Sequence, residues 1–145
     1  MRGRWLVFLV VLGLCAAPAS GIDVKKEQEL FQGTWDLVEL ESGGKKIAEV
    51  EKLGCQMTIT GDKFKLKQGT QDLNGTLTIN PNKKPKHVDT VTTDAQGNTM
   101  KSLGIYEFAG DKLKMCFVIE GKDRPSEFKT HEKSNTIIEI FRKKK

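Results

Sequence analysis

Hydrophobic and polar residues alternate along most of the chain in short runs, a period of two that is typical of β-strands with one buried and one solvated face. Leu113, Met115 and Phe117 share one parity of such a run, and Lys114 takes the other. The pattern predicts nine strands, at residues 34–41, 55–60, 63–67, 73–79, 86–94, 100–108, 112–120, 127–131 and 136–142.

Two segments depart from this alternation. A short polar stretch at residues 24–32 is compatible with a helix that precedes the first strand. Residues 42–53 contain two glycines, Gly43 and Gly44, and continue from Lys45 to Lys52 at helical spacing, so we expect a loop or a short helix over one end of the fold.

Residues typical of tight turns separate the runs, namely Gly61-Asp62, Asn74-Gly75, Gln96-Gly97-Asn98 and Gly110-Asp111. Asn74-Gly75-Thr76 also matches the N-glycosylation sequon, and we interpret it as a hairpin turn. Many short antiparallel strands must either stack as a sandwich or close as a barrel. Hairpins without long crossovers favour the barrel. The sequence therefore predicts an all-β fold, an antiparallel up-and-down β-barrel of eight or nine short strands.

The beginning of the chain has the pattern of a secretory signal peptide. Two arginines precede an apolar run over residues 5–14, and small residues follow, so cleavage is expected after Ala19 or Gly21. The apolar run is shorter than the roughly 20 residues that span a bilayer. We predict a signal peptide at residues 1–21 and one exported domain at residues 22–145, periplasmic or extracellular, without a transmembrane segment in the mature chain.

Charge does not indicate a nucleic-acid-binding protein. After removal of the signal peptide, 22 basic and 19 acidic residues remain, and four of the basic ones lie at residues 142–145. Without this tail the body has a net charge of −1. A nucleic-acid-binding protein would carry its positive charge on a folded face.

The three cysteines leave the redox state open. Cys15 falls in the predicted signal peptide, and a lipid anchor there is disfavoured because Leu14 is too bulky for the position before a modified cysteine. Exported proteins often pair cysteines, and Cys55 and Cys116 would remain. Cys55 shares parity with Met57, whereas Cys116 is out of step with the apolar residues around it. This parity argues against a disulfide, and spacing alone leaves both alternatives open.

A resemblance to a known family adds to this reading. Leu30-Phe31-Gln32-Gly33-Thr34-Trp35 resembles the start of lipocalin-type barrels, where a short helical turn leads into a G-x-W motif whose tryptophan plugs the closed end. Four further motifs follow in order, Pro85-Lys86-His87-Val88-Asp89, Gly104-Ile105-Tyr106-Glu107, Leu113-Lys114-Met115-Cys116 and Arg124-Pro125-Ser126-Glu127-Phe128. Together they resemble a lipocalin-like domain family of exported planctomycete proteins, mostly uncharacterised. The resemblance covers residues 30–142 and implies a calycin-type barrel and bacterial export, but no substrate.

Few residues indicate catalysis. The two histidines, His87 and His131, are not in a metal-ligand spacing, and no G-x-S-x-G motif or phosphate-binding glycine loop is present. His87 and Asp89 would share a strand face, either as an acid–base or ligand pair or as an exposed strand end in which Asp89 accepts hydrogen bonds. We favour the second interpretation and expect no enzymatic activity, metal or cofactor.

Arg124 and Tyr106 each have more than one interpretation. The proline after Arg124 favours an extended backbone, from which the guanidinium could pair with Asp89 or Glu107 as a structural clasp, or contact a ligand. The lipocalin resemblance implies a further position above the Trp35 ring, where a cation–π contact is possible. We favour the clasp. Tyr106 is either a core ring with a satisfied hydroxyl or a polar group in a pocket, and we favour the core.

Two functions remain open. An eight-stranded barrel is just wide enough to be filled by its own side chains or to hold one small ligand. The first hypothesis is therefore a binding protein for a small apolar or amphipathic ligand, and the second is a packed barrel that acts as an extracytoplasmic interaction or structural module without a ligand. The large residues expected to point inward are Trp35, Met57, Ile59, Phe64, Leu66, Leu77, Ile79, Ile105, Met115, Phe117, Phe128 and Ile138. The residues expected to contact a ligand are Trp35, Met57, Phe64, Tyr106, Met115, Phe117 and Arg124.

Overall fold

The computed structural model describes residues 21–119 and 123–145. Within these residues one α-helix precedes nine strands, and a 3-10 helix, Val50–Leu53, follows the second strand. The helix is α1 (Val24–Phe31), and the strands are β1 (Gly33–Ser42), β2 (Lys45–Lys46), β3 (Gln56–Thr60), β4 (Lys63–Gln68), β5 (Gln71–Asn80), β6 (Lys86–Thr93), β7 (Thr99–Ala109), β8 (Lys112–Val118) and β9 (Thr136–Lys143). The predicted signal peptide, including Cys15, lies outside the described residues except for Gly21.

The strands form one closed antiparallel barrel. From β3 to β9 each strand pairs with its neighbour in sequence, and β1 pairs with both β3 and β9 and so closes the ring. The short β2 extends the sheet as a hairpin beside the last residues of β1. The predicted up-and-down barrel is confirmed, with eight strands in the ring and β2 as an extra strand. Within the described part of the chain, no helix combines the length and apolar character required to cross a bilayer.

Both segments that departed from strand alternation contain helical turns. The polar stretch at residues 24–32 contains α1, as expected. Residues 42–53 contain the β2 hairpin and the 3-10 helix Val50–Leu53. Of the two alternatives, a loop or a short helix, the short helix is present, and the β2 hairpin was not predicted.

Two local predictions are wrong. Residues 127–131 are not a strand, because they belong to an irregular connection between β8 and β9. Asn74-Gly75 is not a turn, because it lies inside β5, and the turn before β5 contains Gly69, with a φ of 61°. Gly75 has another role in the strand. It is paired with Phe64 of β4, and a Cβ at this position would overlap the Phe64 ring.

Apolar residues cover part of the barrel wall on both sides. The inner cluster includes Trp35, Met57, Phe64, Tyr106, Met115 and Phe117. An outer cluster consists of Ile105, Cys116 and Ile138, and Phe128 of the β8–β9 connection packs against it. The inward direction predicted for Ile105, Phe128 and Ile138 is therefore wrong. Because the connection covers this face, β8 and β9 are apolar on both sides, and alternation does not distinguish their faces.

The two cysteines of the barrel are free thiols. Cys55 packs against the inner cluster, whereas Cys116 belongs to the outer one. The structure therefore has the alternative without a disulfide, consistent with the difference in parity.

Helix α1 closes one end of the barrel. Asp23 caps it by accepting a hydrogen bond from a backbone N–H of the first turn at 2.9 Å. In the last turn, the carbonyl oxygen of Phe31 accepts a hydrogen bond from Trp35 Nε1 at 2.8 Å. The fully buried Phe31 ring meets Tyr106 and Phe108 edge-on, with centroids 4.9 Å apart in each pair. These rings plug the closed end, as predicted for Trp35.

Candidate functional site

The barrel contains a cavity of about 230 Å³ on the side away from the α1 plug. Four of the residues expected to contact a ligand line it: Met57, Phe64, Met115 and Phe117. Met100, near the start of β7, and Ile119, directly after β8, also line it, and they are 48% and 40% exposed. The end of the barrel at these two residues is therefore the mouth of the cavity.

The other three predicted ligand contacts do not line the cavity. Trp35 and Tyr106 are buried in the plug. Arg124 lies outside the barrel, where it donates to Asp89 Oδ1 at 2.5 Å and to the carbonyl oxygen of Gly104 at 2.7 Å. The prediction that Arg124 contacts a ligand in the barrel interior is therefore wrong. The structure supports the other interpretation, a clasp to Asp89.

Lys143 takes the position above the tryptophan that the resemblance implied for Arg124. Its Nζ lies 5.3 Å from the centroid of the Trp35 ring. Lys143 is the last residue of β9 and is paired in register with Trp35 of β1. The strand register therefore supplies the cation from β9, and Arg124 remains on the far side of the wall.

Tyr106 has the core position that we favoured. Its hydroxyl donates to Glu27 Oε1 at 3.0 Å, and Lys86 Nζ donates to the same oxygen at 2.6 Å. Burial, and then the Glu27 carboxylate, raise the pKa of Tyr106 above its ordinary range. The polar groups of the plug thus satisfy one another and are not directed at the cavity.

Two glycines provide the space for the two phenylalanine rings that line the cavity. Gly75 is paired with Phe64, and Gly104 with Phe117. A Cβ at Gly104 would lie 2.5 Å from Phe117 Cδ1 and 2.7 Å from the carbonyl oxygen of Cys116. Each phenyl ring can therefore lie across its neighbouring strand only because that strand has no side chain at this point.

The polar part of the lining contains three hydroxyl groups and one carboxyl group. The hydroxyls belong to Thr90, Thr92 and Ser102, and the carboxyl to Glu139 of β9. Glu139 is half-buried and lies among the apolar residues that line the cavity. Within residues 21–119 and 123–145, it accepts no hydrogen bond and forms no ion pair.

Burial in this apolar surrounding changes the ionisation of Glu139. It raises the pKa of the carboxyl group to about 7, from an ordinary 4.5. Burial, and then the Glu139 carboxylate, raise the pKa of the Cys55 thiol to about 11. The cavity therefore holds one carboxyl group that is close to half ionised at neutral pH. In an apolar pocket, such a group can orient a ligand by binding its polar atom.

Glu139 was not predicted to line the cavity. Apolar residues occur at both parities of β9, namely Ile137, Ile138 and Ile140, and the prediction that Ile138 points inward would direct Glu139 outward. One signal was available, since Glu139 shares its parity with Ile137 and Phe141. The register with β8 gives the direction, because Phe141 pairs with Leu113 and Glu139 with Met115.

The described residues do not meet the requirements of a metal site. Among the described residues, no three His, Cys, Asp or Glu side chains lie close enough together to hold a metal ion. His87 and Asp89 share one face of β6, as their spacing predicted, and the partner of His87 in β7 is the outward-facing Ile105. Asp89 is engaged by Arg124, which is the interpretation that we favoured.

Comparison of the sequence with models of known protein families found no match, and comparison with curated proteins found none.

Proposed function

We propose that this protein is a small exported carrier whose barrel binds one apolar or amphipathic molecule in its interior. The observation that carries the proposal is the cavity, which lies inside the barrel and has the exposed Met100 and Ile119 at its mouth. Binding rather than catalysis is proposed because the lining is mainly apolar, with one carboxyl group among the described residues.

The volume limits the size of the ligand. An apolar cavity of about 150 Å³ holds benzene, which has six non-hydrogen atoms. By proportion, the cavity of about 230 Å³ holds a molecule of about nine non-hydrogen atoms, and a longer one would extend through the mouth. A small ligand with an apolar body and one polar group fits this lining.

Native mass spectrometry of the protein purified from its own exported fraction tests the proposal. The expected result is a stoichiometric additional mass that is lost on denaturation. Met115→Trp, which fills the cavity, is expected to abolish this mass. Val91→Trp, which places the same ring at a 38% exposed outer position, serves as the matched control and should retain it.

A bare polypeptide mass for the wild type and both variants would contradict the carrier proposal. It would favour the second hypothesis, a barrel that acts through its outer surface as an extracytoplasmic interaction or structural module. The stability of Met115→Trp gives an independent measurement. Filling an empty space is neutral or stabilising, whereas overpacking a filled one typically costs about 1–3 kcal/mol.

A further inference from the structure

The Glu139 carboxyl group is an ionisable group in the cavity that forms no hydrogen bond or ion pair with any other described residue. It lies on β9 between Ile137 and Phe141, and all three residues line the cavity. Buried carboxylates are normally paired with a cation or with hydrogen-bond donors, because the unpaired charge is costly in an apolar surrounding. Because the cavity is open, a ligand can supply the cation or hydrogen-bond donor that the Glu139 carboxylate lacks.

We propose that the cavity selects small amines, in which an apolar body fills the lumen and a protonated amino group pairs with the Glu139 carboxylate. This inference rests on the carrier function proposed above and specifies its ligand class. The ammonium group would donate to the carboxylate as a charge-assisted hydrogen bond, which is stronger than a neutral one. The hydroxyl oxygens of Thr90, Thr92 and Ser102 are further acceptors in the same cavity.

The charge of the lining argues against an acidic ligand. Among the described residues that line the cavity there is no lysine, arginine or histidine. The carboxylate of a small acid would meet Glu139 with the same sign of charge and without a compensating cation. Repulsion and desolvation would both oppose its binding.

Glu139 is also the group that would make binding depend on pH. Leu40 of β1 and Met115 of β8 flank it in register, and both are neutral. The titratable neighbour is the thiol of Cys55, whose pKa is raised to about 11 and which stays neutral below pH 9. With a carboxyl pKa of about 7, the affinity for an amine should fall about tenfold for each pH unit below 7.

Three probes of nearly equal size test the inference: 2-phenylethylamine, 2-phenylethanol and phenylacetate. Dissociation constants are measured by calorimetry and ligand-observed NMR at pH 8 and pH 5.5, with the natural ligand removed. At pH 8 the wild type is expected to bind the amine at least tenfold more tightly than the alcohol, and the acid most weakly. At pH 5.5 the preference for the amine should be lost.

Glu139→Gln keeps the shape of the side chain and removes the charge. This variant is expected to bind the amine and the alcohol with similar affinity at both pH values. Glu107→Gln, on the outer side of β7 and 53% exposed, is the matched control and should keep the amine preference. The pH dependence of the wild type is a second readout that does not require the variant to fold.

The outcomes separate this inference from the carrier proposal. Equal affinity of the wild type for amine and alcohol at pH 8, or tighter amine binding at pH 5.5, would overturn the amine inference and leave the carrier function standing. Failure of all three probes to bind, together with a bare mass in the native spectrum, would overturn both.

Discussion

Replacing Glu139 by glutamine should make the free energy of unfolding depend less on pH. In the folded state the pKa of the Glu139 carboxyl is about 7, compared with an ordinary 4.5. The folded protein therefore binds this proton more tightly than the unfolded chain does, and the free energy of unfolding falls as pH rises from about 4.5 to about 7. A tenfold difference in proton affinity is worth about 1.4 kcal/mol, so the loss reaches about 3 kcal/mol at pH 8.

Urea denaturation of the ligand-free protein at pH 4.5 and pH 8 measures this contribution. Other groups also titrate in this range, so the informative quantity is the difference in unfolding free energy between the variant and the wild type. For Glu139→Gln this difference is expected to move in favour of the variant by about 3 kcal/mol between the two pH values. The control Glu107→Gln removes an exposed carboxylate of β7 and should show no change of that size.

A difference between Glu139→Gln and the wild type that stays constant from pH 4.5 to pH 8 would refute this reasoning. It would mean that the Glu139 carboxyl is as well solvated in the folded protein as in the unfolded chain. The cavity would then be too wet at that position to raise the pKa, and the preference for an amine would lose its electrostatic basis.

Three further substitutions test the glycine contact, the plug and the outer clasp. Gly104→Ala should lower the free energy of unfolding by about 1–3 kcal/mol in urea denaturation, because the added methyl group overlaps a ring and a carbonyl of β8, and an unchanged value would contradict this close packing. Glu27→Gln should cost about 1–3 kcal/mol because it weakens the buried contacts of this carboxylate, and a double-mutant cycle with Lys86→Met should show coupling, whereas simple additivity would argue against the pairing. Arg124→Met should make the buried Cys116, whose pKa is raised to about 11 by burial, react faster with a thiol reagent at pH 8, as followed by peptide mass spectrometry, and an unchanged rate would show that the clasp does not hold the covering connection.

The succession of strands could be predicted because, in most strands, the sequence shows which residues belong to the buried face and where the turns lie. In β4, lysines alternate with Phe64 and Leu66, and the lysines are exposed while Phe64 is buried. Gly61 and Gly110 mark turns at which φ is positive, a conformation that glycine adopts without strain. Such local signals are sufficient for the closed antiparallel barrel, since consecutive hairpins leave few alternative topologies.

The candidate site could be predicted only in part, and the misses share a cause. Met57 and Phe64 each lie between two polar residues, and Met115 and Phe117 share the parity opposite Lys114. All four line the cavity. Asn74-Gly75 has the composition of a turn, but in the fold its glycine makes room for a ring from the next strand. The identity of a residue indicates which backbone conformations it allows, but it does not indicate which side chain of a neighbouring strand will pack against it.

The all-β class, the order of the strands and the burial of the large residues on clearly alternating strands all follow from the pattern of the amino-acid sequence. The positions of Arg124 outside the wall and of Glu139 inside it depend instead on how the strands are placed in the closed barrel. The physical reason is that parity is a relative quantity, which separates the two faces of a strand without saying which one is inner. One face of β9 lines the lumen, and the β8–β9 connection covers the other. The register of β9 with β8 places Glu139 on the face that lines the lumen.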